Sequence, residues 1–308
     1  MMYQRLVPHK EVPCWECKSI RGIAYLPHFY TLAQGGNERD EFEKWLNNEI
    51  ETPAKSVIDK IKSGSDISDI TKDELLALLR FTSVQMVRTP AHYFNSSAQW
   101  IHEIQKCLSE FTGNSLVAAQ KTKTAQKDDY TLIKHSVINR DDEKAYVEYK
   151  TVVGRTTHLS QIQRSANEWI PYFEKQKWHV IEAADGIEWP TSDDPVIRYR
   201  AVNDKEYTFA AGIAQKGTEV LFPLSPKHLL YASIDRKQPV DKMQKHYIFS
   251  ELVRRTILEH SFLYVYSKSR QKGMFQYCPR TIDEVEFKRI TQLYQNWHKL
   301  HSAFEAEY

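Results

Sequence analysis

The sequence predicts an α+β protein: an N-terminal helical layer or bundle followed by a mixed, mainly antiparallel sheet with C-terminal helices. Three observations predict it. Apolar residues recur at helical spacing through most of the stretch from 38 to 177. After residue 177 the texture changes to short apolar runs divided by Gly and Pro, as in strands joined by turns. The chain then closes on an amphipathic segment. This order divides it into an irregular N-terminal segment (1–37), a helical region (38–177) and a mixed sheet region with a closing helix (178–308), expected to form one integrated domain.

The elements follow from local chemistry. Phe42, Trp45, Leu46 and Ile50 share a helix face, and Val57, Ile58 and Ile61 continue it. Pro53 interrupts the run. With Thr52 as an N-cap this predicts either two consecutive helices or one kinked helix. Thr71 and Glu74 match a capping box, opening a helix buried through Leu75, Leu78, Leu79, Thr82, Met86 and Val87 and bent or ended by Pro90. A further helix is expected from Ala91 to Phe111, stopping near Gly113, and the polar, lysine-rich stretch 114–128 reads as an exposed connection or frayed helix. Helical patterns follow over Tyr130–Arg140 and over Thr156–Lys177, the latter kinked by Pro171. "WHVIEAADGIEWPTSDDPVIRYRAV", "EVLFPLSPKHLLYASI" and "SFLYVYS" carry the strands. A helix is expected at Tyr247–Glu259, and the closing helix carries Val285, Phe287, Ile290, Leu293, Tyr294 and Trp297.

Composition narrows the class. The 308 residues include 17 Tyr, 13 Phe and 7 Trp, rings enough for a packed core and too many for a disordered chain. A net charge of +2 excludes a strongly basic chain, but the charge is uneven. Glu38–Glu74 carries 11 acids and 6 bases, and Lys227–Lys272 carries 10 bases and 4 acids. The basic half could meet phosphates or simply be a solvated helix face. The N-terminal stretch has charges and prolines throughout and no apolar core, and no run could span a bilayer, so the expectation is a cytoplasmic protein without a membrane partner. Four cysteines then read as free thiols. Cys14 and Cys17 form one C-x-x-C pair, without the second pair that a structural zinc needs.

The densest chemistry lies in "TSDDPV". Adjacent acids on a strand point to opposite faces, so at most one of Asp193 and Asp194 serves a given site. A carboxylate at a strand end suits a hard cation, while Ser and Asp before Pro also suit a plain turn. Glu49 and Glu51 in "NNEIETPAK" could supply a second acid, and helical spacing does not choose between them. Arg88 in "MVRTP" closes an apolar helix, where it would pair with a carboxylate such as Glu51, structurally or as an active-site clamp. Arg255 and His260 have the spacing of a ribonuclease pair, although a His in a last helical turn also suits the dipole. No P-loop, nucleophile elbow or glycine-rich dinucleotide loop occurs.

Taken in order, "AYLPHFYTLA", "FEKWLNNEIETPAKSVIDKI", "MVRTP", "KQKWHVIEAADGIEWPTSDDPV" and "VLFPLSP" resemble the bacterial domain-of-unknown-function family 4238, over residues 20–267. The resemblance implies roles for Tyr25 and Pro27, Glu51, Arg88 and Thr89, and Ser192, Asp193 and Pro195. It favours Asp193 over Asp194 and makes Glu51 the preferred acid. Where the family pattern has His, this chain has Ala24; His28 follows four residues later.

The expectation carried forward is a metal-dependent hydrolase acting on phosphodiesters, a nuclease-type effector. Asp193 and Glu51 would hold Mg²⁺ or Mn²⁺, Arg88 would orient Glu51 or bind a phosphate oxygen, and His28 or His92 would transfer protons. Nucleic acid would be its partner through the basic C-terminal half. The alternative is a non-catalytic nucleic-acid- or protein-binding module in which Glu51, Arg88 and Asp193 form a structural polar network.

Overall fold

The computed structural model describes residues 1–34, 37–96, 133–139, 145–151, 155–203, 206–234 and 240–306. The first helical segment runs α1 (Glu41–Trp45), a π-helical turn (Leu46–Glu51) and α2 (Thr52–Lys62) without a break. Thr52 is helical (φ −63°, ψ −46°) and its N–H bonds the carbonyl of Asn47, five residues back. Pro53 has no N–H for the regular ladder, and the wide turn just before it absorbs the defect. α3 (Lys72–Val87) opens on the expected capping box: Glu74 N–H donates to Thr71 Oγ1 (3.3 Å), and Thr71 N–H to Glu74 Oε2 (3.0 Å). α4 is described over residues 90–96, so most of the helix expected from Ala91 to Phe111, and the 114–128 stretch, lie outside the described residues.

One helical expectation fails. Ile133–Asn139 (β5) is a strand paired antiparallel with Ala145–Thr151 (β6). The physical reason is in the residues: Ile133, Val137 and Ile138 are β-branched, and the strand pairs in register with a second run rich in β formers, Val137 with Val147 and Ile138 with Tyr146. α5 (Arg155–Glu168) and α6 (Ile170–Phe173) follow; the single kinked helix expected over Thr156–Lys177 is broken at Trp169, ahead of Pro171, and Lys177 already opens a strand. The later helices are α7 (Tyr247–His260), α8 (Met274–Tyr277) and α9 (Glu284–Ala306).

The N-terminal segment, expected to be irregular, carries β1 (Met2–Gln4), β2 (Leu6–Val7) and β3 (Leu32–Gln34), the last forming a hairpin with β4 (Asn37–Arg39). The main sheet has five antiparallel strands in the order β10-β9-β11-β12-β7. These are β7 (Lys177–Glu182), β9 (Ile197–Ala201), β10 (Tyr207–Thr208), β11 (Thr218–Pro223) and β12 (His228–Ser233). A three-stranded sheet joins β1, β13 (Tyr264–Tyr266) and β8 (Thr191–Ser192), so the first residues are paired with a strand more than 250 positions away. β14 (Thr281–Ile282) runs parallel to β2. The chain is thus α+β, with helices early and at the C-terminal end and an antiparallel sheet between them.

Both faces of the main sheet are covered. Trp178, Val180, Val220, Phe222, Leu230 and Ala232 pack against the helical layer, with Ile50, Val57, Leu78, Val87 and Ile162. The alternate residues Ile181, Tyr199, Leu221, Leu229 and Tyr231 pack against Phe249, Val253 and Ile257 of α7. This two-sided burial explains why "EVLFPL" and "HLLYAS" are nearly continuous apolar runs: both pleat faces must be apolar. On α9, Trp297 is buried as expected, whereas Val285 stands exposed.

A charged side chain lies inside this framework among several buried polar ones. The side chain of Arg155 is completely buried. Its Nε and Nη2 donate to the two carboxylate oxygens of Glu305 (3.0 and 2.5 Å), and Nη1 donates to the carbonyl of His28 (3.1 Å). It joins α5 to α9 and to the loop after β2. Removing one partner of such a pair leaves a buried charge uncompensated. We predict that Arg155→Ala lowers the unfolding free energy by roughly 3–5 kcal/mol, measured by urea denaturation; a loss near zero would contradict this role.

Candidate functional site

Glu51, Arg88 and Asp193, singled out from the sequence, meet at one cavity of about 920 Å³. Its wall includes Glu51, Arg88, Thr89, Ser192, Asp193, Pro195, Ala24 and Tyr25. Each is placed by a local backbone device. Glu51 is the last residue of the π-helical turn, a widening that rotates its side chain relative to a regular helix. Arg88 caps α3, and Thr89 opens α4: its Oγ1 accepts the N–H of His92 (3.1 Å), with Pro90 at the first helical position. "MVRTP" is therefore a helix-to-helix junction presenting two polar side chains.

Arg88 is held on several sides. Its Nη1 donates to Glu51 Oε1, its Nε donates to Gln85 Oε1 (3.0 Å), and its guanidinium lies 5.8 Å from the ring centre of Phe81. Its carbonyl accepts the hydroxyl of Tyr30 (3.0 Å), whose pKa burial pushes up to about 12. The Glu51–Arg88 pairing expected from the sequence is thus present.

Asp193 follows β8, and its N–H donates to the carbonyl of Tyr264 (3.1 Å). Its carboxylate accepts two backbone N–H groups, from Phe262 (3.0 Å at Oδ1) and Leu263 (2.7 Å at Oδ2). These belong to the short connection between α7 and β13, so the carboxylate satisfies two backbone donors that lie outside both the helix and the strand. Burial pushes its pKa up to about 7; the backbone N–H groups oppose that rise and the neighbouring Asp194 adds to it. Asp194 faces a different set of partners. Its carboxylate is 3.7 Å from Nε2 of His260 and close to Arg198, and burial raises it too to about 7. Ser192 closes the turn, donating from Oγ to the carbonyl of Asp194 (2.9 Å) and accepting its N–H (3.2 Å). "TSDDPV" is therefore both a turn and part of a cavity wall.

The two histidine candidates are not brought to this cavity. His28 is exposed with a left-handed backbone (φ 56°), and its ring packs on that of His298, 4.2 Å between centres. His92 lies on α4 near Ser96 and Arg198, its pKa lowered by burial to about 4. Ala24, where the family pattern has His, does line the cavity, so His28 does not take that position. Arg255 and His260 also separate: Arg255 pairs with Glu259 (2.8 Å), while His260 is half-buried beside Asp194 and Phe209. Cys14 and Cys17 are exposed and free. Among the described residues, no three His, Cys, Asp or Glu side chains cluster as a metal centre.

Sequence reasoning missed the aromatic wall. Tyr264 and Tyr266 of β13 and Tyr294 of α9 line the cavity. The alternation in "YVY" was the available signal: residues two apart share a strand face, and Val265 between them is fully buried on the other side. Burial and the nearby Asp193 charge raise the pKa of all three phenols.

Asp193→Ala strands two backbone donors and should cost roughly 1–3 kcal/mol for each. The pH dependence has a definite sign. A carboxyl whose folded value is raised to about 7 contributes stability most fully below its unfolded value near 4, and loses it as pH rises through 7. The stability gap between wild type and Asp193→Ala, measured by denaturant melts, is therefore expected to be widest near pH 4 and to shrink toward pH 7. A gap that widened over this range would contradict the assignment.

Comparison with known proteins adds one finding. A family described as a protein of unknown function (DUF4238) matches residues 7–293. No curated protein and no solved structure matches the chain.

Proposed function

The chain belongs to the DUF4238 family of proteins of unknown function, and from its cavity we propose that it binds a small molecule, with Glu51, Arg88 and Asp193 framing the ligand site. The observation that carries this is the convergence on one cavity of residues drawn from three separate parts of the chain. Its volume, about 920 Å³, is in the range of ligand sites, and its wall mixes aromatic rings with a few fixed polar groups. Glu51, Arg88 and Gln85 brace one another, so the Arg88 fork is preorganised, which lowers the entropy cost of binding. Asp193, near 7, can hold or release a proton at neutral pH, the property a general acid or base needs. A thermal-shift screen with polar metabolites tests the reading. It should find compounds that stabilise the wild type and lose that effect in Arg88→Lys and Glu51→Gln. No stabilising compound, or shifts untouched by both substitutions, would count against it.

Metal-dependent phosphodiester hydrolysis is the second reading. Glu51 and Asp193 line the same cavity and offer oxygens of the kind Mg²⁺ and Mn²⁺ prefer. Their oxygens are, however, engaged by Arg88 and by backbone N–H groups. The basic segment is also partly neutralised, since Lys245, Arg254, Arg255 and Lys268 pair with Glu182, Glu251, Glu259 and Glu188. This reading predicts cleavage of RNA or DNA with Mg²⁺ or Mn²⁺ that Asp193→Ala abolishes; absence of cleavage by purified wild type removes it. No helix among the described residues is long and apolar enough to cross a membrane.

A further inference from the structure

We propose that the cavity takes an organic cation, an amine or quaternary ammonium group, seated between its tyrosine rings and its uncompensated carboxylates. This rests on the cavity being a binding site and adds the chemical class of what it holds. The charge count comes first. Four carboxylates line the wall, from Glu16, Glu43, Glu51 and Asp193, against two cations, Lys18 and Arg88. Both cations are already matched: Lys18 Nζ lies 2.6 Å from Glu16, and Arg88 bonds Glu51. Glu43 and Asp193 remain without a cation among the described residues. An anionic ligand would meet like charge with no free cation to offset it, whereas a cationic ligand restores balance.

Asp193 is the more informative of the two. It is a half-buried carboxyl met only by backbone N–H groups, with desolvation and Asp194 both working against its charge. Such a group is stabilised by a positive charge brought to it. The second observation is independent of charge. Tyr264 and Tyr266 face the cavity with rings nearly parallel (16°, centres 6.3 Å apart), and Tyr294, Tyr30, Phe222 and the largely exposed Tyr25 add to the aromatic share of the wall. The face of a phenol ring carries negative potential, and several rings around one space are how proteins recognise ammonium groups.

Isothermal titration calorimetry on the full chain tests this with four probes: tetramethylammonium, spermidine, inorganic phosphate and glucose. The expected result is binding of one or both cations and of neither counter-probe. Tyr264→Ala should weaken cation binding by about tenfold, the equivalent of a cation–π contact of 1–2 kcal/mol, while Tyr264→Phe stays within about threefold because the ring face is kept. Glu43→Gln, at an exposed position, should weaken it as well. If phosphate or glucose binds and the cations do not, the cavity remains a binding site and the cation assignment is overturned. Cation binding unchanged in both Tyr264→Ala and Glu43→Gln places it elsewhere and also overturns the proposal. If none of the four probes binds, the cation assignment fails, and the metabolite screen decides separately whether the cavity binds anything.

Discussion

The carboxylate of Asp193 and the N–H groups of Phe262 and Leu263 fix the cavity in place. Three parts of the protein meet at that contact. Asp193 directly follows β8, α7 ends one residue short of the two N–H donors, and β13, which begins immediately after them, brings Tyr264 and Tyr266 to the cavity. β13 in turn pairs with the first strand of the chain, which supplies Met2 and Gln4 to the same wall. A buried carboxylate is costly in isolation, and here backbone donors offset part of that cost. The remainder appears as the raised pKa, so one interaction both organises the wall and sets its chemical character.

Around this contact, each side of the cavity is built by a departure from regular structure. The π-helical turn ahead of Pro53 carries Glu51, the junction between α3 and α4 carries Arg88 and Thr89, and the Ser192–Asp194 turn carries Asp193. Ala24, on the same wall, has a left-handed backbone (φ 53°), a conformation that residues other than Gly adopt at some cost. Wide turns, helix breaks and positive φ angles gather at functional sites because they expose polar groups that regular ladders would use up. The fully buried Arg155, bonded to Glu305 and to the His28 carbonyl, ties α9 to the loop before Phe29 and so helps position the helix that supplies Tyr294.

Legibility in the sequence tracked locality. The capping box at Thr71–Glu74 and the apolar runs of β11 and β12 are short-range signals, and they predicted real elements. Pro53 was ambiguous because a proline can start a helix or be absorbed by a π-helical turn, and only packing of Ile50 and Val57 against the sheet chooses between them. β5 was misread as helix because its apolar residues fit both periods over so short a run. At the site, Glu51, Arg88 and Asp193 were found by motif order, whereas Tyr264, Tyr266, Tyr294 and Arg155 were not. Those four act through partners far away in sequence, and a single strand or helix read alone gives a tyrosine facing a cavity the same pattern as one in a core. His28 and His92 were chosen for their chemistry, and the backbone around each turned the side chain to other neighbours.

The claim that Asp193 anchors the cavity wall through two backbone N–H groups is tested most directly by hydrogen exchange at the amides of Phe262 and Leu263, compared between wild type and Asp193→Ala. The account predicts slow exchange at both amides in the wild type and a selective loss of protection there in the variant, with the amides inside the main five-stranded sheet little changed. Fast exchange at both positions in the wild type, or unchanged protection in the variant, would contradict it.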